Sequence, residues 1–279
     1  MAAERGVLVG VDGSVDGWAA LDWAAADAAR LGDELTVVYV LEGWPEMDLV
    51  PREMRLQGER KAGKVVDAAV ERLRRSRTDV AVRTRWVPGN PPAELVRLAE
   101  EADRVVLGSG GQGGLGGLLR GSVARYVANR TTRPTVVVRG VTYPTGPVAV
   151  GVSGSPAGEA ALAYAFSHAA RRGMAVRALH VHRAAVGDPM APLTAYDPGG
   201  DAMALVRDAV APWAAAYPEV MVECAAVAGS PAQRLVQVSA GSSLVVVGCR
   251  RRAGLLAAAR GTVGRALVGR SRCPVAFAR

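Results

Sequence analysis

Lysine is nearly missing from this 279-residue sequence: only Lys61 and Lys64 are present, and arginine supplies the rest of the 34 basic side chains. Cysteine is scarce too, with Cys224, Cys249 and Cys273 as an odd set without CxxC spacing. That excludes a disulfide framework and a zinc-ribbon pattern, and it fits a reducing cytoplasm, the expected compartment. No run of eighteen apolar residues occurs, so no membrane span is expected. The opening "MAAERGVLVGVDGS" passes straight into a strand-like run, without a charged-then-apolar leader. HExxH, paired carboxylates, a Ser–His–Asp order and a GK[ST] Walker ending are all missing. No recognised nucleic-acid module is visible, and nucleic acid is not an expected partner. What is present is 50% hydrophobic residues against 22% charged, enough to build a core without covalent staples.

Charge is unevenly spread. Residues 1–140 hold 20 basic and 19 acidic side chains, a net of +1, whereas residues 141–279 hold 14 and 7, a net of +7. From Arg250 to Arg279 there are eight arginines and no acid. This reads either as a solvated basic face or as an anion-facing patch.

The chain repeats itself. "GVLVGVDGS" (6–14) returns as "VAVGVSGS" (148–155), at an offset of 141. "VPGNPPAELVRLAEEADRVVLGS" (87–109) returns as "VAGSPAQRLVQVSAGSSLVVVGC" (227–249), and "RPTVVVR" (133–139) as "CPVAFAR" (273–279), both at 140. Matching order and near-constant spacing indicate two domains, 1–140 and 147–279, with a linker in "GVTYPTGP". In the first repeat, short β-branched runs mark strands at Val7–Val11, Leu35–Leu41, Val80–Trp86, Arg104–Gly108 and Thr135–Arg139. Helical patterns lie between them, the first from about Asp16 to Arg30. Alternation of this kind gives an α/β fold of two tandem doubly wound domains, each a five-stranded parallel sheet flanked by helices. Ligands in such sheets bind at the strands' C-terminal ends, where the strand order reverses.

Two features converge on that place. Asp12 stands at the tip of the first strand in "VGVDGS", and the fourth strand ends at Gly108 in "GSGGQGGLGGLLRGS". The spacing there is Gly108-x2-Gly111-x9-Gly121-Ser122. Gly108 and Gly111 would allow a tight turn and a close backbone approach to a ligand. Gly121, Ser122 and Val123 would open a helix whose free N–H groups attract an anion, with Ser122 as its N-cap.

With these motifs the chain resembles the universal stress proteins in their tandem form, over essentially its whole length. The resemblance implies a strand order of 3-2-1-4-5 and, in the ATP-binding subgroup, a site for ATP, usually with Mg²⁺. The acid matching Asp12 would hold the adenosine moiety, the residue matching Val40 would offer main-chain contacts to adenine, and the glycine loop would hold ribose and phosphates. The implied cofactor-binding set is Asp12, Gly13, Val40, Gly108, Gly111, Gly121, Ser122 and Val123. The family also pairs its fifth strands, so the chain would form an internal pseudo-dimer, and two chains would associate further as a homodimer.

The second repeat departs from the motif. Gly248 remains, but Arg251 replaces the second glycine, Gly261-Thr262 close the pattern, and Ser153 stands where Asp12 does. This repeat is expected to bind ATP weakly or not at all, unless Arg250, Arg251 and Arg252 grip an anion directly. His180 and His182 share one face of a strand and, without a third ligand, read as packing. His168 reads as structural, Trp18 and Trp23 as one helix–sheet contact, and Cys249, beside three arginines, as either an inert or a lowered-pKa thiol. Without a Walker lysine or a water-positioning base, the site looks built to hold nucleotide rather than turn it over. The expected function is an ATP-dependent stress-response regulator with an unidentified protein partner. The alternatives are a slow ATPase or autokinase, and a scaffold acting through its basic C-terminal surface.

Overall fold

The computed structural model describes residues 6–42, 51–76, 78–110, 121–139, 145–182, 200–249 and 262–279. The chain divides into two compact units, Met1–Val138 and Arg139–Arg279. The first contains β1 (Val7–Gly10), α1 (Val15–Leu31), β2 (Leu35–Leu41), α2 (Arg52–Ser76), β3 (Val82–Pro88), α3 (Pro91–Ala99), β4 (Arg104–Gly108), α4 (Ser122–Arg130) and β5 (Thr135–Val138). Its strands lie in the order β3-β2-β1-β4-β5, and all four neighbouring pairs are parallel. The second contains β6 (Val148–Val152), α5 (Pro156–Ala170), β7 (Val176–His182), α6 (Asp201–Ala216), β8 (Val222–Ala228), α7 (Pro231–Val238), β9 (Leu244–Gly248), α8 (Thr262–Arg270) and β10 (Val275–Ala278). Its order, β8-β7-β6-β9-β10, is the same 3-2-1-4-5. The expected α/β class and strand order are therefore both present.

The central strands are continuous apolar runs because helices cover both faces. Val7, Leu8, Val9, Val105, Val106, Val136 and Val137 are all buried. The edge strand β3 is more exposed and carries Arg83, paired with Glu34, and Arg85, 2.9 Å from Glu101. Charge along an edge opposes pairing with other chains.

Local chemistry sets the helix limits. Ser14 caps α1 by accepting the Gly17 N–H at 3.0 Å, and Gly32 ends it in the left-handed conformation at φ 67°. Asn90 caps α3 ahead of Pro91, and Ser155 caps α5 ahead of Pro156. Both prolines occupy the first helical turn, where a missing N–H costs nothing.

The two units differ at the opposite end of the sheet from these caps. Arg104 Nε donates to Asp27 Oδ2 at 2.6 Å, and its Nη2 donates to Asp33 Oδ2 at 2.7 Å. Asp27 is 1% exposed, so the pair is buried, and removing either partner would leave an uncompensated charge there. At the corresponding positions of the second unit stand Leu244, His168 and Met174. His168 is buried there, with its ring 5.9 Å from that of Tyr164, in keeping with a structural role.

Candidate functional site

β1 lies between β2 and β4, with Gly10 paired to Val38 on one side and to Leu107 on the other. The chain leaves β1 toward β2 through α1 and leaves β4 toward β5 through α4, so β1 and β4 flank the point where the strand order reverses. Asp12 comes two residues after the end of β1. Its Oδ1 accepts the Ser14 backbone N–H at 3.0 Å and the Ser14 hydroxyl at 2.6 Å. Gly13, between them, has φ 82°. The turn therefore fixes the Asp12 carboxylate through one oxygen at the mouth of the crevice, where it is only partly buried.

Val40 contributes backbone. Val38 O accepts the Val11 N–H on the β1 side of β2, while Leu41 O accepts the Gly89 N–H on the β3 side. Alternation along a parallel strand then turns the Val40 N–H and C=O toward the β1 side. The β1–β2 register ends at Gly10–Val38, so Val40 lies beyond the end of β1 and borders the crevice with its main chain.

The third component is the start of α4. Gly121 is its N-cap, in the left-handed conformation at φ 76°, and provides no side-chain capping bond. Ser122, expected to cap the helix, is instead its first residue and is exposed. The difference has a steric cause: the chain enters the helix through a left-handed residue, which glycine adopts without strain. The first intrahelical bond runs from Arg125 N to Gly121 O, so the N–H groups of Ser122, Val123 and Ala124 lie outside the helix's own ladder. These are the groups by which a helix end binds anions.

Packing alone accounts for glycine at position 108. A Cβ there would lie 2.6 Å from both the carbonyl carbon and oxygen of Asp16 and 2.9 Å from Gly17 N. The first turn of α1 thus rests directly on the end of β4. The equivalent Gly248 is crowded by the Ala157 carbonyl in the same way. Gly111 lies outside the described residues, as do Arg250, Arg251, Arg252 and Gly261.

Sequence reasoning missed Asp16. Its Oδ2 accepts the Ser109 hydroxyl at 2.9 Å, joining α1 to the residue that follows β4 across 93 positions of sequence. Nothing in the spacing announces this, because an acid in a first helical turn has an ordinary explanation in the helix dipole. Asp12, Val40 and the Gly121–Val123 start of α4 all belong to the end of the sheet where the parallel strands finish, and they bring a carboxylate, main-chain groups and helix N–H groups to that end. A nucleotide fits this donor set: its base can pair with main chain, its ribose with a carboxylate, and its phosphates with helix N–H groups.

The same crevice is altered in the second unit. Ser153 Oγ and Ser155 Oγ, 3.0 Å apart, replace the Asp12–Ser14 turn. The β6–β7 register extends to Val152–His180, one pair further than its counterpart. The His180 ring nitrogen Nδ1 also lies 2.9 Å from Val152 O. His180 and His182 do share a face of β7, but no group of three or more metal-ligating side chains occurs among the described residues. None of the three cysteines is in a disulfide. Burial pushes the Cys249 thiol up, and the nearby Arg279 only partly opposes it, which does not favour a reactive thiolate at neutral pH. Trp23 is buried in α1, and Trp18 borders a surface groove with Ala68 and Arg72 of α2.

The sequence profile of the universal stress protein family matches residues 5–139 and again 145–279. The chain belongs to this family. It is 35% identical to the universal stress protein Rv2005c of Mycobacterium tuberculosis, over 99% of this chain and 97% of that protein. To Rv2623 of the same organism it is 32% identical, over 98% and 96% of the two chains. A crystal structure of a universal stress protein from Archaeoglobus fulgidus superposes with a TM-score of 0.75, covering 99% of this chain and 96% of that one. At 16% identity this likeness is one of fold. Two family domains in tandem account for the internal repeat, and among the described residues no helix is long and apolar enough to cross a membrane.

Proposed function

We propose that this universal stress protein is a nucleotide-dependent regulator that binds ATP with Mg²⁺, mainly in its N-terminal domain. Occupancy of that site would change the surface offered to a protein partner. What supports this reading is the presence, at the strand ends around the β1–β4 switch point, of three different kinds of group. Asp12 offers a carboxylate to ribose or adenosine. The main chain at Val40 offers an edge for adenine. The α4 N-terminus at Gly121, Ser122 and Val123 offers N–H groups to phosphate, with the loop holding Gly111 leading into it. Mg²⁺ would be held chiefly by the phosphates, as is usual for that ion, and would offset their charge.

The preference for the N-terminal domain rests on Ser153, which carries no charge, and on the longer β6 with its His180–Val152 contact at the adenine edge. Calorimetric titration of the full chain with MgATP tests the reading. Replacing Asp12 by Ala is expected to weaken binding roughly tenfold or more, the scale of a hydrogen bond to a charged group. Absence of a heat signal, in protein shown by mass spectrometry to carry no nucleotide, would instead favour a scaffold. Recovery of intact ATP after hours at the site is the regulator's signature. Released phosphate or a phosphorylated chain would make the protein a slow ATPase or autokinase.

A further inference from the structure

Resting on the nucleotide reading above, we propose that Ser14 is a positioning residue for the Asp12 carboxylate and, through it, sets a preference for nucleotides with an intact ribose diol. The Ser14 hydroxyl stands in the middle of a short relay. Its oxygen accepts the Gly17 N–H at 3.0 Å, and its hydrogen goes to Asp12 Oδ1 at 2.6 Å. The Ser14 backbone N–H reaches the same Oδ1 at 3.0 Å. Gly17 leaves room for this: a Cβ there would lie 2.6 Å from Asp12 Oδ1 and 3.2 Å from Ser14 Oγ. Two hydrogen bonds occupy both lone-pair sites of Oδ1, so a ribose hydroxyl would be met by Oδ2. The carboxylate is thereby tied to the first turn of α1, and its rotation is restrained before any ligand arrives.

Turn and cap formation explain only part of this arrangement. An aspartate accepting from the backbone two residues on is an ordinary turn, and a serine N-cap is an ordinary helix start. The second domain shows that neither needs a carboxylate. Ser155 Oγ caps α5 by accepting the Gly158 N–H at 3.3 Å, with Ser153 Oγ, 3.0 Å away, in the place of Asp12. Gly158 keeps the same closeness, its Cβ position lying 2.8 Å from Ser153 Oγ. Frame and cap are thus common to both domains, and the held negative charge belongs to the first. A carboxylate with one oxygen fixed is preorganised to accept from a hydroxyl, a group that a dideoxynucleotide lacks on its sugar.

The test compares the full chain with Ser14→Asp, Ser14→Thr and Asp12→Ala, by calorimetry with ATP and with 2′,3′-dideoxy-ATP, each with excess Mg²⁺. Aspartate is as good an N-cap as serine but has no proton to give the Asp12 carboxylate, whereas threonine keeps the hydroxyl. The unaltered chain and Ser14→Thr are expected to prefer ATP roughly tenfold or more, the scale of a hydrogen bond to a charged group. Ser14→Asp should lose that preference as Asp12→Ala does, with hydrogen-exchange protection of α1 intact. General repulsion from the added charge weakens both ligands alike and leaves their ratio untouched. A preference that survives Ser14→Asp but not Asp12→Ala would make Ser14 a cap only and overturn the proposal. So would loss of the preference in Ser14→Thr as well, or loss of α1 protection alongside it in Ser14→Asp. Equal binding of the two ligands by the unaltered chain would overturn the proposal and leave the nucleotide reading standing. Failure to bind either ligand would overturn both.

Discussion

Gly108 shows how one residue can satisfy a binding motif for reasons of packing. Its missing side chain admits the Asp16 carbonyl and Gly17 N, which are backbone atoms of a capped helix and have little freedom to retreat. Gly108→Ala is therefore expected to destabilise the N-terminal domain even without nucleotide, by about 1–3 kcal/mol, as overpacking generally does. Hydrogen exchange in β1 and β4 reads the loss directly, with β6 and β9 of the same molecule as the control. Unchanged exchange in nucleotide-free protein, with binding lost, would return Gly108 to a purely ligand-facing role. Asp16 teaches the converse. A residue that matches no motif meets the segment after β4 only because the fold brings positions 16 and 109 together. The Asp12 turn, by contrast, is local, since Asp12, Gly13 and Ser14 adjoin in sequence and their hydrogen bonds follow from that. Local chemistry was legible in the sequence at Asp12, and long-range contact at Asp16 was not.

Elements were legible where periodicity was strong. β2 and β4 have the limits that their apolar runs predict, Leu35–Leu41 and Arg104–Gly108. β3 begins at Val82 rather than Val80, because an edge strand with polar residues has no sharp apolar boundary. Helix starts were readable from caps and prolines, but the sequence alone does not reveal whether a cap is used. Asn90 and Ser230 occupy equivalent positions before α3 and α7. Asn90 Oδ1 accepts the Ala93 N–H at 3.3 Å, whereas the Ser230 side chain makes no capping bond. Asn90→Ala should accordingly cost about 1 kcal/mol, the usual size of a lost N-cap, and Ser230→Ala only a few tenths. Hydrogen exchange within α3 and α7 distinguishes the two. Equal losses would show that the side-chain bond at Asn90 contributes nothing. Ser122 belongs to the same class: its residue type suits an N-cap, yet the left-handed Gly121 takes that position.

At the scale of the whole molecule, duplication has kept the scaffold and let the site diverge. Both domains keep the strand order and the helix-on-strand contact at Gly108 and Gly248, while the buried Arg104–Asp27 pair gives way to Leu244 and His168. Scaffold positions tolerate such exchange when charge is removed from both partners at once. On the proposed reading the crevice would be less tolerant, because each of its three groups would serve a different part of one nucleotide. Ser153 for Asp12 removes a charge, and the added Val152–His180 pair carries β6 one residue beyond the point where the β1–β2 register ends in the first domain. These changes are independent, so restoring one of them should not restore the site. The expected stoichiometry is one MgATP per chain. Asp12→Ser should carry the N-terminal site most of the way to the state of the second, whereas Ser153→Asp should leave the stoichiometry at one. Titration calorimetry of both variants checks the pair of outcomes. A second equivalent of MgATP in Ser153→Asp would mean that a single missing carboxylate silences the second domain, and that its longer β6 is no obstacle to adenine.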